Sequence, residues 1–311
     1  MDTWVEQAIQ SIAANNSSGA VELAGTAADV LLRCARTDSA ETAEAFRFNI
    51  LQAGQALIEA QPAMAPLVNL VNTVLWRLGT SNTLAEMRTI VDTVVRDFKR
   101  RLHMHETAVA EAALPLILDH VIVMTHSRST TVRAALFHAS RAQRRFQVVC
   151  SESRPIYEGR TLATELAEQG IKVTLVTDAL AISRVAEADL VLFGADHLTN
   201  SGLANKVGTY GLVLAAQAAQ VPVYALCSST KFLPPGYPLP WQHRRPAEQV
   251  WPDTPENVTV ENYYFDYSPL HAITGIVTER GVLPREVIEG WLAALQLHPD
   301  LHAPRVRTSG A

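Results

Sequence analysis

The stretch Thr125-His126-Ser127-Arg128-Ser129-Thr130-Thr131 clusters hydroxyls beside an imidazole and a guanidinium. It follows the apolar run His120 to Met124 and precedes a helical pattern of Val132, Ala135, Leu136 and Ala139. Hydroxyls and helix N-terminal amides at such a turn suit a single phosphate or another small anion. Arg128, Arg154 and Lys206 can add positive charge. The turn has no glycine, so it is neither the G-x-G-x-x-G dinucleotide fingerprint nor a P-loop. Ser127 beside His126 invites a hydrolase reading. However, neighbouring residues at a strand end point to opposite faces, and no G-x-S-x-G elbow is present. His126 therefore reads as a structural hydrogen-bonder, and Cys150 and Cys227 as small buried residues.

The elements that position these groups follow from two hydrophobic periods. Up to about Ala113 the chain reads as helices, over roughly 3–14, 19–36, 40–60 and 65–78. A further stripe, Leu84, Met87, Val91, Val94, Phe98 and Leu102, starts at the capping-box pattern Thr83-Leu84-Ala85-Glu86. His103 and His105 are two residues apart, so a helix splays them rather than pairing them as metal ligands. After Pro115, short apolar runs (HVIVMT, FQVVCS, KVTLVTD, DLVLFGAD, PVYALCS) alternate with helical stretches, the last being NKVGTYGLVLAAQAAQ. This alternation predicts a doubly wound parallel sheet, giving an α/β chain with a helical domain over 1–113 and a sheet domain over 114–311. Such sheets bind ligands at the carboxyl ends of their strands. Those ends carry Thr125-His126-Ser127, Ser151-Glu152-Ser153-Arg154, Thr177-Asp178, Gly194-Ala195-Asp196 and Ser228-Ser229-Thr230. The segment 232–257 holds seven prolines and two tryptophans and cannot be regular helix. It reads as an ordered surface loop or as a lid or oligomer contact.

Composition sets the outer bounds. A 48% hydrophobic and 18% charged chain of 311 residues is globular, and a net charge of −5 gives no basic footprint for nucleic acid. Cys34, Cys150 and Cys227 are far apart, which predicts reduced thiols in the cytosol. The N-terminus lacks the pattern of a signal peptide, and no apolar run is clean enough to span a bilayer.

Several motifs together carry a resemblance: "MTHSRSTTV", "CSESRPIYEGRTLATELAEQGI", "VLFGADHLTNSGLANKVGTYGLVLAAQ" and "ENYYFDYSPLHAITGIVTERGVLP", in that order. With "NNSSGAVELAG" and "AQPAMAPLVNLVN" upstream, they resemble the superfamily of the alpha, beta and delta subunits of eukaryotic translation initiation factor 2B. That superfamily includes methylthioribose-1-phosphate isomerase and ribose-1,5-bisphosphate isomerase. The resemblance implies a helical domain on a Rossmann-like domain and a phosphosugar crevice between them. It also implies a homodimer or higher oligomer through the C-terminal domain and family-like protein partners; no cofactor, metal, membrane or direct nucleic-acid contact is expected.

The resemblance also assigns residues. Asp196 matches the isomerase aspartate, and Ser127 stands where the isomerases have a cysteine. A thiol titrates near ~8.5, whereas a serine hydroxyl is far less acidic. Ser127, with Ser18-Gly19-Ala20, Arg128, Ser129, Thr130, Arg154, Asn205 and Lys206, outlines the ligand groove. Ser18 and Gln61 stand where isomerases or alpha-type chains have arginine. Two functions follow. The first is a non-catalytic regulatory subunit that binds a sugar phosphate or nucleotide phosphate and acts through assembly. The alternative is an aldose–ketose isomerase of a ribose-1-phosphate-type substrate.

Overall fold

The computed structural model describes residues 3–15, 20–239 and 244–301. Five helices open the chain: α1 (Thr3–Ala14), α2 (Ala20–Thr37), α3 (Ala43–Ala60), α4 (Ala65–Leu78) and α5 (Leu84–Ala113). Thr42 caps α3, its side chain accepting from the Ala45 amide at 3.2 Å. Pro66 lies in the first turn of α4, where an amide hydrogen is not needed. At α5 the Thr83 hydroxyl accepts from the Glu86 amide at 3.4 Å, but the expected box does not close. Glu86 instead accepts from Ser81 Oγ at 2.7 Å, and the Thr83 amide donates to that same hydroxyl at 3.3 Å. Ser81 reaches both groups and takes over the return arm of the cap.

The described residues within Met1–Met104, Thr230–Pro240 and Leu292–Ala311 form one compact unit. Its core joins the α5 stripe of Met87, Val91, Val94, Phe98 and Leu102 to buried residues of α2, α3 and α4 such as Leu31, Phe46 and Leu70. Leu233 and Tyr237 are buried here with Ile58, Val68 and Leu75. The Tyr237 hydroxyl donates to the Pro62 carbonyl at 2.9 Å. The first part of the proline-rich segment is thus core of the helical unit. Gln61 donates to the carbonyls of Ile12 and Asn15 at 2.9 and 3.2 Å, fastening the end of α1.

The second unit comprises the described residues within His105–Ser229 and Trp241–Trp291. In chain order it carries β1 (Ile122–Thr125), α6 (Thr130–Arg141), β2 (Gln147–Ser151), α7 (Glu158–Glu168), β3 (Lys172–Val176), α8 (Asp178–Ser183) and β4 (Leu190–Gly194). Then come β5 (His197–Thr199), β6 (Gly202–Lys206), α9 (Thr209–Ala218), β7 (Val223–Leu226), β8 (Phe265–Ser268), β9 (Gly275–Thr278), β10 (Gly281–Leu283) and the start of α10 (Arg285–Ala294). The main sheet runs β10-β9-β7-β4-β1-β2-β3, parallel except for the antiparallel β10–β9 edge. All five expected strands are in it. A second sheet, β5-β6-β8, is antiparallel and was not anticipated.

The helix expected from Asn205 starts four residues later. Asn205 and Lys206 are strand residues of β6, paired with Asp266 and Phe265 of β8. Gly208, at φ 103°, breaks the chain direction before α9 begins. In the main sheet β1 lies between β2 and β4, so the winding reverses at the β1–β4 pair. That is the topological switch point, where connections diverge and leave a crevice at the strands' carboxyl ends. Among the described residues, no helix is long and apolar enough to cross a membrane, and the three cysteines are free thiols.

Candidate functional site

Ser127 and Asp196 follow the carboxyl ends of β1 and β4, the two strands of the switch point. The two strand ends are close: a Cβ on Gly194 would lie 2.3 Å from Ser129 Oγ. Ser129 is the N-cap of α6, accepting from the Val132 amide at 3.3 Å, and Thr130 is the first helical residue. Asp196 is half-buried, and its amide donates to the Ala204 carbonyl at 2.9 Å, tying the β4 end to β6.

Ser127 has a left-handed backbone, φ 68°, as do Ser153 (62°) and Tyr157 (60°) in the loop after β2. Non-glycine residues in this region are strained and cluster at functional sites. Here hydrogen bonds hold the strain. The Ser127 amide donates to Ser153 Oγ at 2.8 Å. The Ser153 and Arg154 amides donate to the two carboxylate oxygens of Asp178 at 2.7 and 2.8 Å. The Ser127 hydroxyl donates to Glu158 Oε1 at 3.1 Å. Glu158 opens α7 and pairs through the same oxygen with Lys206 Nζ at 2.8 Å. Lys206 is buried, with its ammonium 4.3 Å from the centre of the Tyr264 ring. Glu158 Oε2 is sealed from water with no hydrogen-bond partner.

His126 bonds through both ring nitrogens to groups other than Ser127. Its Nε2 is 2.8 Å from the Val207 carbonyl and its Nδ1 2.5 Å from Ser151 Oγ. Nε2–H donates to Val207 and Nδ1 accepts from Ser151, the tautomer these partners dictate. Burial holds its pKa below the usual histidine range, so the ring stays neutral. Burial likewise pushes the Cys150 thiol up to about 12, which leaves it inert as a nucleophile.

The remaining groove residues divide. Arg128 is not turned toward a ligand: its Nε and Nη2 donate to Glu165 at 3.0 and 2.6 Å, and Arg133 joins the same carboxylate at 2.8 Å. Arg154 is exposed and held by neutral acceptors, the Tyr157 hydroxyl at 2.7 Å and the Val250 carbonyl at 3.1 Å. No carboxylate pairs with it among the described residues. Asn205 donates to Thr209 Oγ1 at 3.0 Å, which in turn donates to the Lys206 carbonyl at 2.5 Å, locking β6 to α9. Ser18 and Gly19 lie outside the described residues, and Ala20 is described only as the first residue of α2. No cluster of three or more His, Cys, Asp or Glu with metal-site geometry occurs among the described residues.

Sequence reasoning missed Glu158. An acidic residue in a helix's first turn is explained by the helix dipole alone, so it gave no separate signal. It also missed Asp266, which accepts from the Gly208 and Tyr210 amides at 2.7 and 3.1 Å. Burial raises this carboxyl from 3.8 to about 6. A raised carboxyl costs stability once ionised, so the cost grows as pH rises from about 4 and is complete above about 6. Asp266→Asn is expected to remove that cost, on the order of 2 kcal/mol. Urea midpoints at pH 4.5 and pH 8 check it: the wild type loses stability between them through this group, and the variant loses less.

The sequence matches the model of the Initiation factor 2 subunit family over residues 16–285. The chain belongs to that family. It is 32% identical to ribose 1,5-bisphosphate isomerase of Archaeoglobus fulgidus over 289 residues, 91% of this chain and 90% of that protein. Its fold matches a crystal structure of translation initiation factor eIF-2B from Pyrococcus horikoshii with a TM-score of 0.79 and 28% identity, covering 93% of this chain and 99% of that one. It also shares its fold with a chain of the tetrameric eIF2B-beta2-delta2 complex of Chaetomium thermophilum, at 22% identity, a TM-score of 0.74 and 92% coverage of both chains.

Proposed function

We propose that the protein is an aldose–ketose isomerase acting on a pentose with phosphate at C1, of the ribose 1,5-bisphosphate type. Its similarity to the Archaeoglobus isomerase over nine-tenths of both chains moves the reading from the non-catalytic subunit to the enzyme. What supports it at the site is the position of Ser127 and Asp196 just past the ends of β1 and β4, the adjacent parallel strands of the switch point.

The chemistry needs two proton transfers. Conversion to the 2-ketose breaks the bond between C1 and the ring oxygen, and that oxygen takes a proton. Hydrogen moves from C2 to C1, and the 2-hydroxyl gives up its proton as the carbonyl forms. Substrate and product are isomers, so no atom enters or leaves. One acid and one base on either side of the sugar would meet this demand; at these strand ends Asp196 suits one role, and Ser127 is the contact for the other. Arg154, with which no carboxylate pairs among the described residues, provides positive charge for phosphate, and Asp196 serves the ring oxygen.

A second reading rests on Ser127. The family resemblance places a cysteine there in isomerases, and the 28% likeness to a translation initiation factor suits a protein that binds without turnover. An assay with ribose 1,5-bisphosphate and with methylthioribose 1-phosphate separates the readings. The isomerase produces ketose from at least one of them. Ligand-raised thermal stability without ketose from either substrate favours the binding protein, since saturation at ~100 times Kd adds ~2.7 kcal/mol.

A further inference from the structure

The isomerase reading leaves one chemical gap: a serine hydroxyl alone is too weak an acid and base to replace a thiol. We infer that Glu158 fills this gap, taking through Ser127 the proton that the substrate's 2-hydroxyl releases. This inference rests on the isomerase reading.

Three observations converge on it. The Ser127 hydroxyl already donates to Glu158 Oε1, at 3.1 Å, so the path for its proton exists. The left-handed Ser127 backbone, pinned by the hydrogen bond its amide donates to Ser153 Oγ, keeps Oγ in place. Lys206 holds the Glu158 carboxylate from the other side at 2.8 Å, while Oε2 is sealed from water and has no donor. Oε2 is therefore able to accept a proton without breaking an existing hydrogen bond. His126, the nearer candidate by sequence, is excluded because Ser151 and the Val207 carbonyl occupy both its nitrogens.

The step balances. The 2-hydroxyl proton passes to Ser127 Oγ as the Oγ proton passes to Glu158. The electron pair left on the substrate oxygen forms the C2 carbonyl, and the C2 hydrogen leaves with its bonding pair to C1. The pair of the broken C1–oxygen bond stays on the ring oxygen, which takes a proton from Asp196. Once product has left, Glu158 returns its proton through Ser127, and Asp196 regains one from solvent.

The test is kcat, KM and the pH dependence of kcat for ribose 1,5-bisphosphate. It compares the wild type, Glu158→Gln, Ser127→Cys and the double variant. Glu158→Gln is expected to lower kcat by about 10²-fold or more, with a far smaller change in KM. The double variant recovers much of that loss, because a thiol gives and takes the proton itself. Ser127→Cys moves the acid limb of the pH profile upward. Ser127→Ala, which leaves the Glu158–Lys206 pair intact, loses as much as Glu158→Gln and covers the case in which the latter does not fold. Equal losses from Glu158→Gln in the serine and cysteine backgrounds overturn the inference, since that is a structural effect. So does full activity of Ser127→Ala or of Glu158→Gln. In each of these cases the isomerase reading stands. No turnover by the wild type overturns both.

Discussion

Replacing Asp196 with asparagine is expected to lower kcat for ribose 1,5-bisphosphate by about 10²–10⁴-fold, the usual cost of losing a general acid or base. Asparagine keeps the size of the side chain and cannot release a proton. The hydrogen bond from the Asp196 amide to the Ala204 carbonyl at 2.9 Å and the neighbouring β5–β6 pairing are backbone contacts that asparagine keeps. KM therefore changes little and the folded spectrum is retained. Steady-state kinetics alongside circular dichroism checks both halves. A variant with wild-type kcat would remove Asp196 from the chemistry and leave the switch point without its acid.

The second large effect is on stability. Gly159→Ala places a Cβ 1.8 Å from the Ser151 carbonyl oxygen and 3.0 Å from the Glu152 carbonyl carbon. Both are backbone atoms, so no side chain can swing away. Helix α7 must back off from the end of β2, at an expected cost of about 3 kcal/mol, the upper end for overpacking. Glu158 precedes Gly159 and leads the same helix, so the retreat also draws its carboxylate from Ser127 and Lys206. A urea midpoint and kcat are expected to fall together. Gly25→Ala, whose added carbon meets nothing within 4 Å, is the control for a glycine that needs no room.

The close approach at Gly159 is one of the features the sequence kept hidden. The 3.6-residue stripe of α5 and the apolar runs of β1, β2, β4 and β7 were legible because each is largely buried, and the β3 run keeps its pattern at the sheet edge although Leu175 is exposed. Once those strands were placed, the rule for parallel sheets put Ser127, Arg154 and Asp196 near one sheet end. The second sheet was not legible. β5 has three residues and β6 reads like a helix start, because Asn205 and Lys206 precede a long apolar helix without a visible break. Only the positive φ of Gly208 marks the boundary. Side-chain pairing was hidden as well. Arg128 looked like a phosphate ligand and is committed to Glu165, while Lys206 faces Glu158 before it can face a phosphate. Those partners lie 37 and 48 residues away in the chain, beyond the reach of local pattern.

The left-handed serines belong to the same class. Nothing in "THSRS" or "SESRP" announces φ values of 68° at Ser127 and 62° at Ser153. The long-range bonds from Ser127 to Ser153 and Glu158 select that backbone, and they also aim Oγ. The site's most informative hydrogen bonds thus arise from the tertiary fold, and the serine that looked like a lost thiol carries a carboxylate behind it.

The most direct test of the isomerase account is carbon-13 NMR of ribose 1,5-bisphosphate labelled at C2, incubated with the wild-type protein. The alcohol carbon signal is expected to convert to a ketone carbon, and Asp196→Asn to slow this by orders of magnitude. An unchanged C2 signal under conditions where the sugar raises the protein's melting temperature would contradict it.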